Sequence, residues 1–311
     1  MSKRYMKYAI IGAGGTGGSL GFFMTKAGKD VTLIARGKHL EMIRKNGLGM
    51  ECLWDHERES IPVKACTAEE YSEIPDVILV CVKGYSMEET IPVIRSISGK
   101  DTVVIPILNI YGTGGKLQKE FPELTVPDGC IYVSANILEP GVILRHGKIL
   151  RVVFGARKPE EETEKMREIA GDMACENIEI ILSEDIRRDA MVKFSYVSPI
   201  GAAGLYYNAK AADFQKEGEA REMFKALIRE IADLSRAMGI KFQEDLVERN
   251  LNILATLSPE ATTSMQRDVY AGKKSEIDGL VYEIVRLGKE YGVAVPEYEK
   301  AAAKFHEEGL E

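Results

Sequence analysis

The chain holds 311 residues with a formal net charge of −7, and 45% of them are hydrophobic and 29% charged. That length exceeds the size at which one hydrophobic core usually stops growing, so two domains are expected, and the composition excludes a disordered or fibrous chain. The negative balance, with no basic stripe interleaved with aromatics, argues against a nucleic-acid partner, and no apolar run reaches the ~18 residues of a membrane span.

The start, MSKRYMKYAII, passes into a periodic fold without the apolar core and cleavage site of a leader, so a cytoplasmic protein is expected. Tyr8 to Ile11 reads as a strand, followed by a glycine-rich turn, a helix to about Ala27 and a second strand from Val31 to Ala35. This is the βαβ pattern of a parallel sheet. It continues through DVILVCVK (76–83), the amphipathic SMEETIPVIRSI (86–97) and TVVIPILN (102–109), whose unbroken apolar runs suit strands buried on both faces. From 130 to 156, Pro140-Gly141 and His146-Gly147 divide the chain into three β-rich runs, read as antiparallel strands closing the far side of the sheet. A charged helix near 159–175 and the strand IEIILS (178–183) complete this part.

After Glu184 helical periodicity takes over, in segments 185–207, 219–239 and 276–292. The expected organisation is therefore α/β: a Rossmann-type doubly wound sheet over 1–184, then an all-helical domain over 185–311, with a cleft between them. Cys52, Cys66, Cys81, Cys130 and Cys175 form no C-x-x-C pair, and His39, His56, His146 and His306 are scattered, so reduced thiols and no bound metal are expected.

Gly12-x-Gly14-x-x-Gly17 lies after the first strand and opens the first helix. Each glycine has its own reason in a dinucleotide site: a tight turn, close backbone approach to a pyrophosphate, and helix–strand packing. The loop Gly12, Ala13, Gly14, Gly15, Thr16, Gly17 then offers backbone N–H groups and a helix dipole to phosphates. The second strand ends in Ala35-Arg36, with no carboxylate for a ribose 2′-hydroxyl but with an arginine for a 2′-phosphate, so NADPH is expected over NADH. The plain alternative is that Arg36 is a solvated residue at a helix start. Lys83 and Asn109 end their strands, where ligands of open α/β sheets collect, though each could equally cap the next helix. Carbonyl reduction needs a proton donor, and Lys193 sits in an apolar, small-residue helical stretch where a solvated lysine is out of place. Snorkelling at a helix edge is the other reading.

Together these residues, the EPGVILRHG turn and SMQRD…SEID (264–278) resemble the ketopantoate reductases (2-dehydropantoate 2-reductases), from about residue 7 to 299. The resemblance implies NADPH-dependent reduction of a 2-oxo acid, a place in pantothenate biosynthesis, and a homodimer. It implies that Lys193 is the general acid, that Glu276 contacts cofactor and reacting group, and that Ser264 binds the substrate carboxylate. Lys83 and Asn109 would lie beside the nicotinamide ribose and the substrate. The chain departs from the pattern where Gln-Asn-Gly becomes Leu108-Asn109-Ile110 and where two substrate-binding asparagines become Val197 and Gly201. A less polar 2-oxo acid is consistent with that loss. An opine- or imine-forming dehydrogenase and a non-catalytic NADPH sensor are the competing functions.

Overall fold

The computed structural model describes residues 6–310. β1 (Lys7–Ile11), β2 (Asp30–Ile34), β5 (Lys64–Cys66), β6 (Val77–Val80) and β7 (Val103–Pro106) form a parallel sheet in the order β5-β2-β1-β6-β7. Both faces are apolar because alternate side chains of each strand serve different cores. Tyr8, Ile10, Leu33 and Leu79 enter one cluster, while Ala9, Ile11, Ile34 and Val80 enter the other. α3 (Met87–Ile97) and α4 (Thr113–Glu120) cover the second cluster through Ile94, Ile97 and Leu117. α1 (Gly15–Lys26) covers the first with Leu20, Phe22, Phe23 and Met24.

On the outer side of α1 stands a separate five-stranded sheet rather than an extension of the first. Its order is β10-β9-β3-β4, with β8 also paired to β9: β3 (Leu48–Cys52), β4 (Arg58–Ile61), β8 (Asp128–Glu139), β9 (Val142–Gly155) and β10 (Glu179–Leu182). Ile131, Ile143, Val152 and Phe154 turn inward from it, joined by α5 (Glu164–Met173). Two expectations are corrected here. The 130–156 segment does not close the parallel sheet, and it makes two long strands instead of three. The turn at Pro140-Gly141 forms, but His146-Gly147 does not reverse the chain: residues 146–149 stand opposite Ser134 alone as a bulge between the pairs Val133↔Leu150 and Ala135↔Arg145. Buried Arg145 holds it, donating from Nη2 to the carbonyls of Gly147 (3.0 Å) and Lys148 (2.8 Å), its guanidinium over the rings of Phe23 and Trp54.

The chain partitions into two units, one of Met1–Leu108 with Gly112–Ile186 and the other of Asn109–Tyr111 with Arg187–Glu311. The second unit has no strand among its described residues. It comprises α6 (Ile186–Tyr207), the short α7 (Ala211–Gln215), α8 (Glu219–Ala237), α9 (Leu246–Ala255), α10 (Ser264–Tyr270), α11 (Glu283–Tyr291) and α12 (Pro296–Glu307). A π-helical turn, Asp278–Tyr282, leads into α11. α8 supplies the core with Met223, Phe224, Leu227, Ile228, Ile231 and Leu234 at helical spacing.

α6 carries Pro199 in its interior, so the carbonyl of Ser195, one turn back, lacks its helical donor. Asn250 of α9, fully buried, fills that role: its Nδ2 donates to the Ser195 carbonyl at 2.9 Å and to Ser195 Oγ at 3.0 Å. Ser198 Oγ donates to the Leu280 carbonyl and shares a short hydrogen bond with the Tyr298 hydroxyl, at 2.5 Å each, tying α6 to the π-helical turn and to α12.

Candidate active site

In the first unit the glycine loop has the shape its sequence suggests. Gly12 has φ +96°, a conformation L side chains rarely adopt, and a Cβ there would lie 3.0 Å from the Cys81 carbonyl. At Gly14, the residue preceding α1, a Cβ would meet nothing within 4 Å, so the space beside this backbone is open. Gly15 and Gly17 are glycines for packing, since their added Cβ atoms would lie 2.3 Å from the Ala135 carbonyl and 1.9 Å from the Gly12 carbonyl. Cys81 beneath the loop is buried, and burial pushes its thiol well above the usual range, so it is an inert packing group.

His39 of α2 (Gly37–Asn46) fastens this loop. Its Nε2 lies 2.9 Å from the Ala13 carbonyl, and its Nδ1 accepts from the Gly141 N–H at 2.9 Å. Those partners fix the neutral imidazole with the proton on Nε2, and burial lowers its pKa below the ordinary 6.5. No motif marks His39, because its partners lie 26 and 102 residues away in sequence.

Arg36 immediately follows the Ala35 that ends the second strand's run, and its side chain is 85% exposed. The strand end carries no carboxylate of its own, but Arg36 Nη1 donates to Glu89 of α3 at 3.3 Å. Lys83 does not end its strand. β6 stops at Val80, and Lys83 precedes a 3₁₀ turn over Gly84–Ser86. Open space beside Gly14, the N-terminus of a twelve-residue helix and an exposed arginine past β2 fit a dinucleotide phosphate carrying a 2′-phosphate.

Asn109 likewise lies beyond its strand, three residues after Pro106, and belongs to the second unit. There it accepts a hydrogen bond of 2.6 Å at Oδ1 from Lys193 Nζ. Lys193 is only 9% exposed, at mid-helix in α6. The lysine therefore does not snorkel into water. Its ammonium is held inside the protein by an amide oxygen, where it can present a proton to a group placed beside it.

The other candidates sit on elements packed around the same helix. Gly201, two turns after Lys193, would place a Cβ 2.8 Å from Met265 Cε, so Met265 fills the room a larger residue would take. Met265 follows half-buried Ser264 at the start of α10. Glu276 is 4% exposed, just before the π-helical turn. Three residues on, Gly279 lies against Ile110, the neighbour of Asn109. The stretch 264–279 is thus a short capped helix, an exposed turn at 271–274 and a buried entry into α11. Among the described residues no cluster of three or more His, Cys, Asp or Glu could hold a metal ion, and no helix is long and apolar enough to cross a membrane.

Comparison with known proteins bears on this arrangement. Residues 8–159 match the family model described as ketopantoate reductase PanE/ApbA, and residues 185–307 match its C-terminal model. A 2-dehydropantoate 2-reductase of Mesorhizobium japonicum is 28% identical over 91% of this chain and 92% of its own. An oxidoreductase of Bacillus subtilis, YkpB, described as uncharacterized, is 26% identical over 96% of this chain and 97% of its own. Among solved structures, a PanE/ApbA family ketopantoate reductase from Ralstonia eutropha superposes with a TM-score of 0.86 at 25% identity, covering 97% of each chain.

Proposed function

Because the chain belongs to the ketopantoate reductase PanE/ApbA family, whose members are NADPH-dependent oxidoreductases, we propose that it reduces 2-dehydropantoate or a related 2-oxo acid to the 2-hydroxy acid, with Lys193 as proton donor. The observation that carries the reading is the buried Lys193 ammonium fixed on Asn109 Oδ1 at 2.6 Å. NADPH, when bound, supplies the hydride that becomes the new C–H bond. Lys193 gives a proton to the carbonyl oxygen as its π bond opens, leaving an O–H and a neutral amine that solvent reprotonates. Asn109 restricts a side chain of four torsions to one donor position, which is where orientation contributes to rate.

In this reading residues 1–184 hold the cofactor through Gly12, Ala13, Gly14, Gly15, Thr16, Gly17, Arg36 and Lys83, and residues 185–311 hold the substrate. Glu276 contacts cofactor and reacting group, and Ser264 takes the substrate carboxylate, roles supported by the family likeness and by Glu276's burial. The enzyme works in the cytoplasm, as a homodimer, in pantothenate biosynthesis.

A narrower substrate follows from Val197 and Gly201. One turn past Lys193 stands an alkyl group, and two turns past it Met265 closes the space over a glycine. Neither replaces an amide that would hydrogen-bond a substrate hydroxyl, so the pocket favours a 2-oxo acid with an alkyl side chain.

The test is NADPH oxidation with ketopantoate and a panel of alkyl 2-oxo acids, with and without an added amine. Wild type is expected to turn over without amine. Lys193→Ala should lose about 10²–10⁴-fold in kcat while NADPH affinity holds. Equal loss of turnover and NADPH binding would remove the acid role, and an absolute need for amine would favour the imine-forming chemistry.

A further inference from the structure

The loop after β7 reaches the helical unit as three residues, and each is anchored there. Asn109 accepts from Lys193, Tyr111 packs on the Phe194 ring at 6.3 Å between centroids, and Ile110 points at Gly279. A Cβ on Gly279 would lie 2.3 Å from Ile110 Cδ1, 2.7 Å from Cγ1 and 3.2 Å from Cγ2. Three carbons of one β-branched side chain crowd one missing methyl, so Ile110 is seated in the hollow that glycine leaves.

Gly279 is outside the left-handed region, so its backbone does not require glycine. It also lies inside a helical turn, where glycine costs about 1 kcal/mol relative to alanine. Space is the remaining reason for glycine at this position. We propose that Ile110 and Gly279 are a size-matched pair that seats the 109–111 loop and so sets the position of Asn109 against Lys193. Both are then positioning residues for proton donation. The proposal rests on Lys193 being the acid, and it explains how the Leu108-Asn109-Ile110 departure is accommodated: the larger residue in the loop is matched by an absent side chain on the facing turn.

A Cβ at 279 displaces Ile110 and the adjacent Asn109, and truncation at 110 leaves the loop unseated. Misplacement of a catalytic group on the order of 1 Å can cost up to about 100-fold in rate.

The test is a double-mutant cycle in the full chain, with NADPH and a 2-oxo acid that the wild type reduces, reading kcat, substrate KM, NADPH Kd and Tm. Gly279→Ala should lower kcat by about 10- to 100-fold and Ile110→Ala by about 10-fold, with NADPH Kd within about two-fold of wild type. In Ile110→Ala, adding Gly279→Ala should cost less than about two-fold, because the clashing carbons are gone. Multiplying losses overturn the pairing, as does a fall in Tm with unchanged kcat. Should Gly279→Ala alone not fold, a folded double variant with the kcat of Ile110→Ala supports the pairing, and a double variant that also fails to fold overturns it. Turnover retained by Lys193→Ala removes the acid assignment itself. An inactive Lys193→Ala beside a multiplicative cycle removes only the pairing.

Discussion

Arg36 stands beside the expected 2′-phosphate position already engaged with a carboxylate. Its contact with Glu89 at 3.3 Å is exposed on both sides, the kind of surface pair that contributes about 0–1 kcal/mol. A phosphate group must therefore compete with Glu89 for the guanidinium. Arg36→Ala is expected to raise the KM for NADPH about 10-fold and leave the KM for NADH nearly unchanged. Glu89→Gln should lower the NADPH KM by up to about five-fold, an effect that fades as salt screens the pair. Equal changes for the two nucleotides on Arg36→Ala would detach this residue from 2′-phosphate selection. At this scale the sequence was informative about chemistry and silent about partners. Gly12 and Gly17 were legible because a turn and a close approach each demand glycine. His39 and Glu89 were not, because their contacts join segments between 26 and 102 residues apart, and nothing local to either residue encodes them.

Helix α6 carries the proposed proton donor and a structural fault together. Lys193 lies six residues before Pro199, and the donor that Pro199 lacks is replaced by the Asn250 amide on the Ser195 carbonyl. Asn250→Ala leaves a buried carbonyl unpaired, at a cost of about 1–3 kcal/mol, and is expected to lower Tm by about 3–8 °C. In a Pro199→Ala background the helix supplies its own N–H, so the same change should cost distinctly less. Equal costs in both backgrounds, measured by thermal unfolding, would mean that Asn250 acts through something other than this carbonyl. The helix was legible from periodicity, whereas its repair was not, because it comes from α9. Similar physics explains the misread hairpin. Gly147 and the polar residues around it carry turn chemistry, but Arg145 satisfies the bulge carbonyls from within, and β9 runs on. The strands β4 and β5 gave no expectation because they are only four and three residues long at the edges of their sheets, with little apolar alternation to read.

Across the whole molecule, the change from alternating β-rich and helical segments to helices alone was legible because it reflects composition over many residues. The exception is a three-residue excursion, since Asn109–Tyr111 belong with the helices although the chain around them belongs with the sheets. Linear order and structural grouping therefore do not coincide in this protein. Lys193, the proposed proton donor, and the Asn109 oxygen that holds it are 84 residues apart, on opposite sides of any cut placed between the two halves. In shuffling experiments with relatives, a graft of residues 187–311 alone would separate Ile110 from Gly279 and Asn109 from Lys193. A graft that also carries residues 109–111 keeps both pairs native. Turnover is expected to survive in the second chimera and fall by about 10-fold or more in the first, by the coupling that contacting residues show. Equal activity in both would mean that the short insert is a passenger. Loss in the first chimera alone would mean that recombination between members of the family is constrained at three residues far from the apparent boundary, and that a heritable module of this enzyme is discontinuous in its gene.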